Sequence, residues 1–307
     1  MIARVLQAPR RLMAHSQYGE FTWAYLFLLP TLVLFGLFTF YPVFGAVVTS
    51  MQAFTGFNAS HPFVGLQNYE RVLFSEPVFW KSIYNTVLFT AGTIPVAVLL
   101  PLGLAVLIDR LVPGLQTFFK SAFYLPGVVS SVVVGLMWVW ILSPFRAGLA
   151  NWGVGLFGLG PFVWLGETHL ALPSLMATVW FSGHGASVIL YLAAMGAIPS
   201  SLYEAADLDC ASTWSKFRNV TWPLIMPTTL FVLVTSTIGS FQVFDLVYTM
   251  TAGGPELSTS TIVYYIYRVA FRNFEFGLAS AAAVILGVVI VAVSLIQFRF
   301  LSTEVEY

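Results

Sequence analysis

Long apolar runs separated by short polar stretches set the pattern of this chain. Six runs stand out, at 24–50, 82–108, 119–142, 170–198, 222–248 and 276–298. Each exceeds the roughly 20 residues that cross a bilayer as a helix. Charges mark several edges: Lys81 and Asp109 bound the second run, Glu275 and Arg299 the last. Strands of a transmembrane barrel would be about 10 residues long and alternate in polarity, whereas these runs are long and continuous. In hydrocarbon a helix satisfies its own backbone hydrogen bonds and a lone strand does not. The pattern predicts an all-α membrane protein of six transmembrane helices, with an N-terminal segment 1–23, a membrane domain 24–300 and a tail 301–307. The first run is longer than the 7–15-residue core of a signal peptide and ends in no small-residue cleavage site, so it is expected to be a span.

One polar island interrupts the pattern between the fourth and fifth runs. Ser201–Trp222 carries five charges (Glu204, Asp207, Asp209, Lys216, Arg218), while Leu170–Tyr203 carries none. Ser201 followed three residues later by Glu204 has the capping-box spacing and predicts a helix beginning just after Pro199. Asp209–Ser212 reads as a break. Trp214, Phe217 and Val220 then recur every three residues and give a second helical stretch an apolar stripe. Pro223 stands where the fifth span begins, a position proline tolerates because its missing N–H would have no partner there. The expectation is a short helix, a turn and a second short helix lying against the membrane (loop 200–222). An amphipathic, aromatic loop of this kind suits docking of a soluble partner; a merely solvated loop is the alternative.

Composition agrees with a membrane class. Hydrophobic residues make up 58% and charged residues 8%, against about 25% charged in soluble domains. With a cytoplasmic N-terminus, Arg4, Arg10, Arg11, Arg110, Lys120, Lys216, Arg218 and Arg299 fall inside and Arg71, Lys81, Arg146, Arg268 and Arg272 outside, eight against five. The positive-inside rule favours that orientation, with both termini and the polar island inside. The N-terminal stretch mixes basic and apolar residues and suits either an interfacial position or a topology-fixing tail. Zero net charge argues against a nucleic-acid partner, and one cysteine excludes an internal disulfide.

Polar groups inside spans are the candidates for solute contact. The fifth span carries Thr235, Ser236, Thr237, Gly239, Ser240, Gln242 and Asp245, with Ser236 and Ser240 on one helical face. The fourth carries Ser182, Gly183, His184, Gly185, Ser187 and Tyr191. Asp245 lies near the outer end of its span, which suits a structural pair or gate contact. Gly103, Gly135 and Gly287 suit helix–helix contacts. Trp138, Trp140, Phe241 and Phe244 are available to stack on a sugar ring or to pack. Apart from Lys120 at the edge of the third run, no lysine or arginine falls within a span, which disfavours a phosphorylated solute. Ser182 and His184, two apart on a predicted helix, point to different faces and make no nucleophile–base pair. No phosphate loop accompanies Lys81, Lys120 or Lys216, so the chain is expected to bind no ATP, and neither a cofactor nor a metal ligand set is read from it. A secondary transporter, needing a coupling-ion site, is a rival to a transporter powered by a separate ATPase.

The stretch EAADLDCASTWSKFRNVTWPLIMP (204–227) resembles the EAA loop of permease subunits of bacterial ABC importers. Glu204, Ala205, Ala206 and Pro223 match that pattern; Cys210 stands where the family has glycine. A glycine would take a left-handed turn freely, whereas another residue loses about 1–2 kcal/mol there. Residues 63–90, 123–141 and 244–281 resemble the carbohydrate-uptake permeases, the group of the maltose and glycerol-3-phosphate importers. The resemblance implies a coupling helix whose Glu204, Ala205, Ala206, Asp207, Asp209 and Cys210 meet an ATPase. It also implies solute contacts on the fourth and fifth spans: Gly183, His184, Ser187, Ser236, Gly239, Ser240 and Gln242. The implied partners are a second permease subunit, two ATP-binding subunits holding ATP and Mg, an extracytoplasmic solute-binding protein and a di- or oligosaccharide, in a bacterial inner membrane. The C-terminal QFRFLSTEVEY resembles the glycerol-3-phosphate permease tail and keeps that solute as an alternative.

Overall fold

The computed structural model describes residues 10–56, 60–145 and 148–301, with side chains from Trp23 onward. Residues 1–9, Arg146 and the tail 302–307 lie outside the described residues, and with them the expectations placed on the N-terminal stretch and the C-terminal motif. The elements in chain order are α1 (Arg10–Phe35), a π-turn (Gly36–Phe40), α2 (Tyr41–Ser50), α3 (Gln67–Phe74), α4 (Pro77–Asp109), α5 (Pro113–Val128) and α6 (Ser131–Ile141). Then come α7 (Leu149–Gly155), α8 (Thr168–Trp180), α9 (Gly185–Gly196), α10 (Ser200–Leu208) and α11 (Thr213–Lys216). A second π-turn (Phe217–Thr221) leads into α12 (Trp222–Leu224), α13 (Met226–Phe241), α14 (Asp245–Met250), α15 (Ile262–Phe271) and α16 (Phe276–Leu301). Extended pairing among the described residues is confined to isolated bridges such as Thr55 with Glu275. The all-α membrane reading holds.

The spans are less regular than the apolar pattern suggested. Three are long enough to cross a membrane as they stand: Trp23–Ser50, Pro77–Asp109 and Phe276–Leu301. The expected third, fourth and fifth spans are each a bent helix pair. α5 and α6 meet at 95°, α8 and α9 at 45°, and the α11–α12 segment and α13 at 65°, so the tally reaches six only if each pair is one span. The breaks have local causes. Val129 and Ser130 are extended just after Pro126. Gly183 has φ +75 in the gap between α8 and α9. Pro223 and Pro227 flank the bend at Ile225. The fifth run also stops early: its helix ends at Phe241, and residues 245–248 belong to α14. Both π-turns end one residue before an aromatic–proline pair, Tyr41-Pro42 and Trp222-Pro223. The Tyr41 and Trp222 N–H groups reach back five residues, to the Gly36 and Phe217 carbonyls. A widened turn accommodates the ring and the missing donor that proline brings to a helix.

α4 is the central pillar. At 33 residues it is roughly 50 Å long at 1.5 Å per residue. Its Phe79 joins a cluster with α3, α15 and α16, and its Phe89 one with α8 and α14. Val98, Leu102, Ala105 and Ile108 pack with Val188, Tyr191 and Met195 of α9. Apart from the Thr90 hydroxyl, the buried polar side chains along it are paired, as hydrocarbon demands. Asn85 Nδ2 donates to the Leu257 and Ser260 carbonyls at 2.8 and 3.0 Å. The Thr86 hydroxyl donates to the Ser82 carbonyl and accepts from the Ile262 N–H. Of the glycines expected at helix contacts, Gly135 lies against Thr249 and Met250, while Gly103 and Gly287 face open space. By contrast, every residue of α1 from Trp23 to Phe35 is exposed in this chain.

Candidate functional site

Three helix breaks converge on one cavity. Ser131 opens α6, Ser182–His184 fill the gap before α9, and Gln242–Phe244 fill the gap before Asp245 opens α14. Together with Ser187 and the Ser236, Gly239 and Ser240 face of α13, they line a cavity of about 400 Å³. All seven residues expected on the solute pathway therefore share one wall: Gly183, His184, Ser187, Ser236, Gly239, Ser240 and Gln242. Broken helices put unpaired backbone ends and flexible polar side chains at such a site, where a continuous helix would offer only one face.

The hydrogen bonds of the wall fix its shape. Ser131 Oγ donates to Asp245 Oδ2 at 2.5 Å, realising the structural pair expected for Asp245. Trp138 Nε1 donates to Ser182 Oγ at 3.2 Å, with the Trp138 ring stacked on Phe181. His184 Nε2 lies 3.1 Å from the Trp180 carbonyl oxygen, and Trp180 Nε1 donates to the Gly92 carbonyl at 2.9 Å. The Thr93 and Ser240 hydroxyls are 3.1 Å apart and join α4 to α13. Ser182 and His184 thus occupy a helix break rather than the helix expected for them, and each pairs with a different tryptophan. Tyr191 is fully buried among core residues, and Thr237 turns away to accept from Gln297 Nε2 at 2.8 Å. Among the described residues no lysine or arginine lines the cavity. Ser131, which lines the cavity, and Thr93, which bonds to it through Ser240, were not among the expected site residues; the Pro126-Gly127 pair and the Ser130-Ser131 step were the available signals of a break.

The gap before α9 is held open by glycine. A Cβ on Gly185 would overlap the backbone of Phe123 and Tyr124 in α5, and Gly183 backs onto Gly127. These contacts let α5 approach α9 closely and set the bend.

The polar island folds as a helix, a turn and a second helix. Its first helix starts at Ser200, just after Pro199 as expected, but the N-cap is Pro199 rather than Ser201 and there is no side-chain cap bond. The extended Pro199 (ψ 131) ends the preceding segment, and its carbonyl accepts from the Leu202 N–H at 3.2 Å, so Ser201 falls inside the first turn. Glu204, Ala205, Asp207, Asp209 and Cys210 are exposed, and Ala206 is half-buried. At the other end the Cys210 N–H donates to the Asp207 carbonyl at 3.0 Å and the Ala211 N–H to the Ala206 carbonyl at 2.9 Å. That pair of bonds is the Schellman motif. Cys210, at φ +54, holds the left-handed position itself despite its side chain. Lys216 pairs with Asp207 across the turn, Ser212 Oγ accepts from the Ser215 N–H at 3.3 Å, and the Tyr203 hydroxyl meets that of Thr221 at 2.9 Å. Trp214 and Phe217 stack at 5.5 Å, so the apolar stripe exists.

Comparison with known proteins gives this architecture a family. A family model described as the binding-protein-dependent transport system inner membrane component matches residues 74–306. The probable ABC transporter permease protein YurN of Bacillus subtilis (strain 168) is 35% identical, over 92% of this chain and 97% of that protein. The arabinooligosaccharides transport system permease protein AraP of the same organism is 31% identical, over 92% and 89%. Among solved structures, a bacterial ABC transporter involved in the import of the acidic polysaccharide alginate aligns with a TM-score of 0.78 at 27% identity, covering 94% of this chain and 97% of the matched one. The chain thus belongs to the binding-protein-dependent inner membrane components and is a multi-pass permease subunit of an ABC importer.

Proposed function

We propose that this permease forms half of the translocation pathway for a neutral di- or oligosaccharide, driven by ATP hydrolysis in a separate subunit. The observation that carries the reading is the single cavity at which three broken helices bring together Ser182–His184, Ser236–Ser240 and Gln242–Asp245. Hydroxyls, an amide and aromatic rings suit sugar hydroxyls and ring faces. A wall without lysine or arginine disfavours phosphate, which recruits such groups. The name of the AraP relative points to the same solute class. α10 is the coupling helix in this reading: it is short and exposed, lies in the link between α9 and α13, and is tied through Asp207 to Lys216 of α11 and through Tyr203 to Thr221. Glu204 offers the polar contact, and Ala205 and Ala206 allow close approach. Two ATP-binding subunits holding ATP and Mg, a second permease against the bare α1, and an extracytoplasmic binding protein complete the importer, with the polar island and both termini in the cytoplasm. Nucleotide then biases a two-state switch between inward- and outward-facing forms.

The test is uptake of labelled oligosaccharides by the complex reconstituted with its ATPase and binding protein. Uptake requires ATP, Ser236→Leu abolishes it, and Glu204→Lys leaves an assembled complex whose ATPase ignores the loaded binding protein. Uptake that persists without the ATPase subunits, or is unchanged in Ser236→Leu, overturns the reading.

A further inference from the structure

We propose that the crevice between the end of α4 and the α11 turn is a binding site for an anionic phospholipid. Leu99, Leu102, Gly103 and Val106 recur at three- and four-residue spacing, so they form one face of α4. Trp214 and Phe217 face them across a trough of about 570 Å³. Its floor is open at Gly103, where an added Cβ would meet nothing within 4 Å. Apart from Thr213, the trough is apolar until its end, where Arg110 stands.

The charge at that end is uncommitted. Among the described residues Arg110 makes no ion pair, whereas the neighbouring cation Lys216 is already paired with Asp207. Arg110 also borders a smaller adjoining crevice with Asp109, Lys216 and Tyr203, but Asp109 does not line the trough. Arg110 immediately follows the last residue of a long apolar span, and so stands at the depth of lipid headgroups. Trp214, 68% exposed on the opposite rim, is the residue type that collects at that depth. An acyl chain in the trough, with its phosphate on the guanidinium, satisfies both ends of the site. A soluble anion leaves the apolar part open, and a zwitterionic lipid gains less from Arg110. Basic pockets between membrane helices hold acidic headgroups in this way. The occupant would brace the Thr213–Lys216 turn against α4, independently of which solute the importer carries.

Native mass spectrometry of the intact detergent-purified importer, incubated with phosphatidylglycerol or phosphatidylcholine, tests the site. Wild type is expected to retain phosphatidylglycerol preferentially. Arg110→Gln is expected to lower that retention about five-fold, the factor for one lost basic contact, and to leave phosphatidylcholine unchanged. Gly103→Leu, which fills open space, lowers retention of both lipids. Arg299→Gln, at the end of α16, changes neither. Equal phosphatidylglycerol retention in Arg110→Gln overturns the proposal, as does an equal loss in Arg299→Gln or displacement of the lipid by inorganic phosphate. Efficient cross-linking of Leu99→Cys to the second permease would overturn it too, because a protein helix then fills the trough.

Discussion

Ser131 and Asp245, 114 positions apart in sequence, open two different helices and meet through a 2.5 Å hydrogen bond at the rim of the cavity. The carboxylate sits at the amino ends of both α6 and α14, where helix dipoles favour negative charge. Asp245→Ala releases the two ends from each other. An exposed charge-assisted bond of this kind is worth about 1 kcal/mol after solvent screening, so the complex should assemble normally while solute uptake falls. Ser131→Ala should lower uptake to the same extent, and the double variant should do no further harm, because the two residues act as one unit. Uptake rates of the four proteins decide it; additive losses would mean that the two side chains act separately.

Gly185 is expected to tolerate no side chain. Its added Cβ would overlap backbone atoms of Phe123 and Tyr124, which cannot rotate away. Gly185→Ala should therefore cost about 1–3 kcal/mol, the usual penalty of overpacking. Gly287→Ala, in open space on α16, should be neutral or gain roughly 0.5–1 kcal/mol of helix propensity. Thermal stability of the solubilised complex, followed by size-exclusion chromatography, separates the two.

At Cys210 the expected sign is reversed. A left-handed conformation costs a non-glycine residue about 1–2 kcal/mol, and glycine recovers part of this while losing more chain entropy on folding. Cys210→Gly should raise the melting temperature slightly and preserve ATPase stimulation; Cys210→Val should lower it. A drop in stability for the glycine variant would show that the cysteine side chain contributes a contact of its own.

Asn85→Ala removes the donor shared by the Leu257 and Ser260 carbonyls. Leaving buried carbonyls without a partner costs about 1–3 kcal/mol each. The segment they hold contains Ala252, Glu256 and Leu257, all at positive φ, so its conformation depends on such bonds rather than on intrinsic backbone preference. Hydrogen exchange across residues 251–261 should accelerate in the variant while α13 stays protected. Unchanged exchange there would assign the loop's rigidity to the Thr251–Thr259 and Thr259–Gly254 bonds instead.

Membrane class, helical architecture and the polar island were legible in the residues alone, because hydrocarbon leaves a long apolar run almost no choice of structure. The break at Asp209–Ser212 was legible too, but that Cys210 itself would take the left-handed conformation there was not. The capping box was not realised, since Pro199 had already set where α10 begins. Which polar residues share a wall was partly legible: Ser236 and Ser240 follow from a single helical face. Ser131 did not, because it reaches the cavity from another helix, and neither did the bonds that Thr93 and Trp138 make to the lining residues Ser240 and Ser182. The apolar pattern likewise read through the bends at 129–130, 181–184 and 225, as hydropathy registers composition and not direction. Those bends rest on a glycine backing onto another backbone, on prolines and on contacts between distant helices. Composition and periodicity therefore determined that this chain crosses a membrane as helices and carries one charged loop between its fourth and fifth apolar runs. Only tertiary packing decided that its broken ends would meet around a common cavity, because a helix break becomes a site only when other helices close around it.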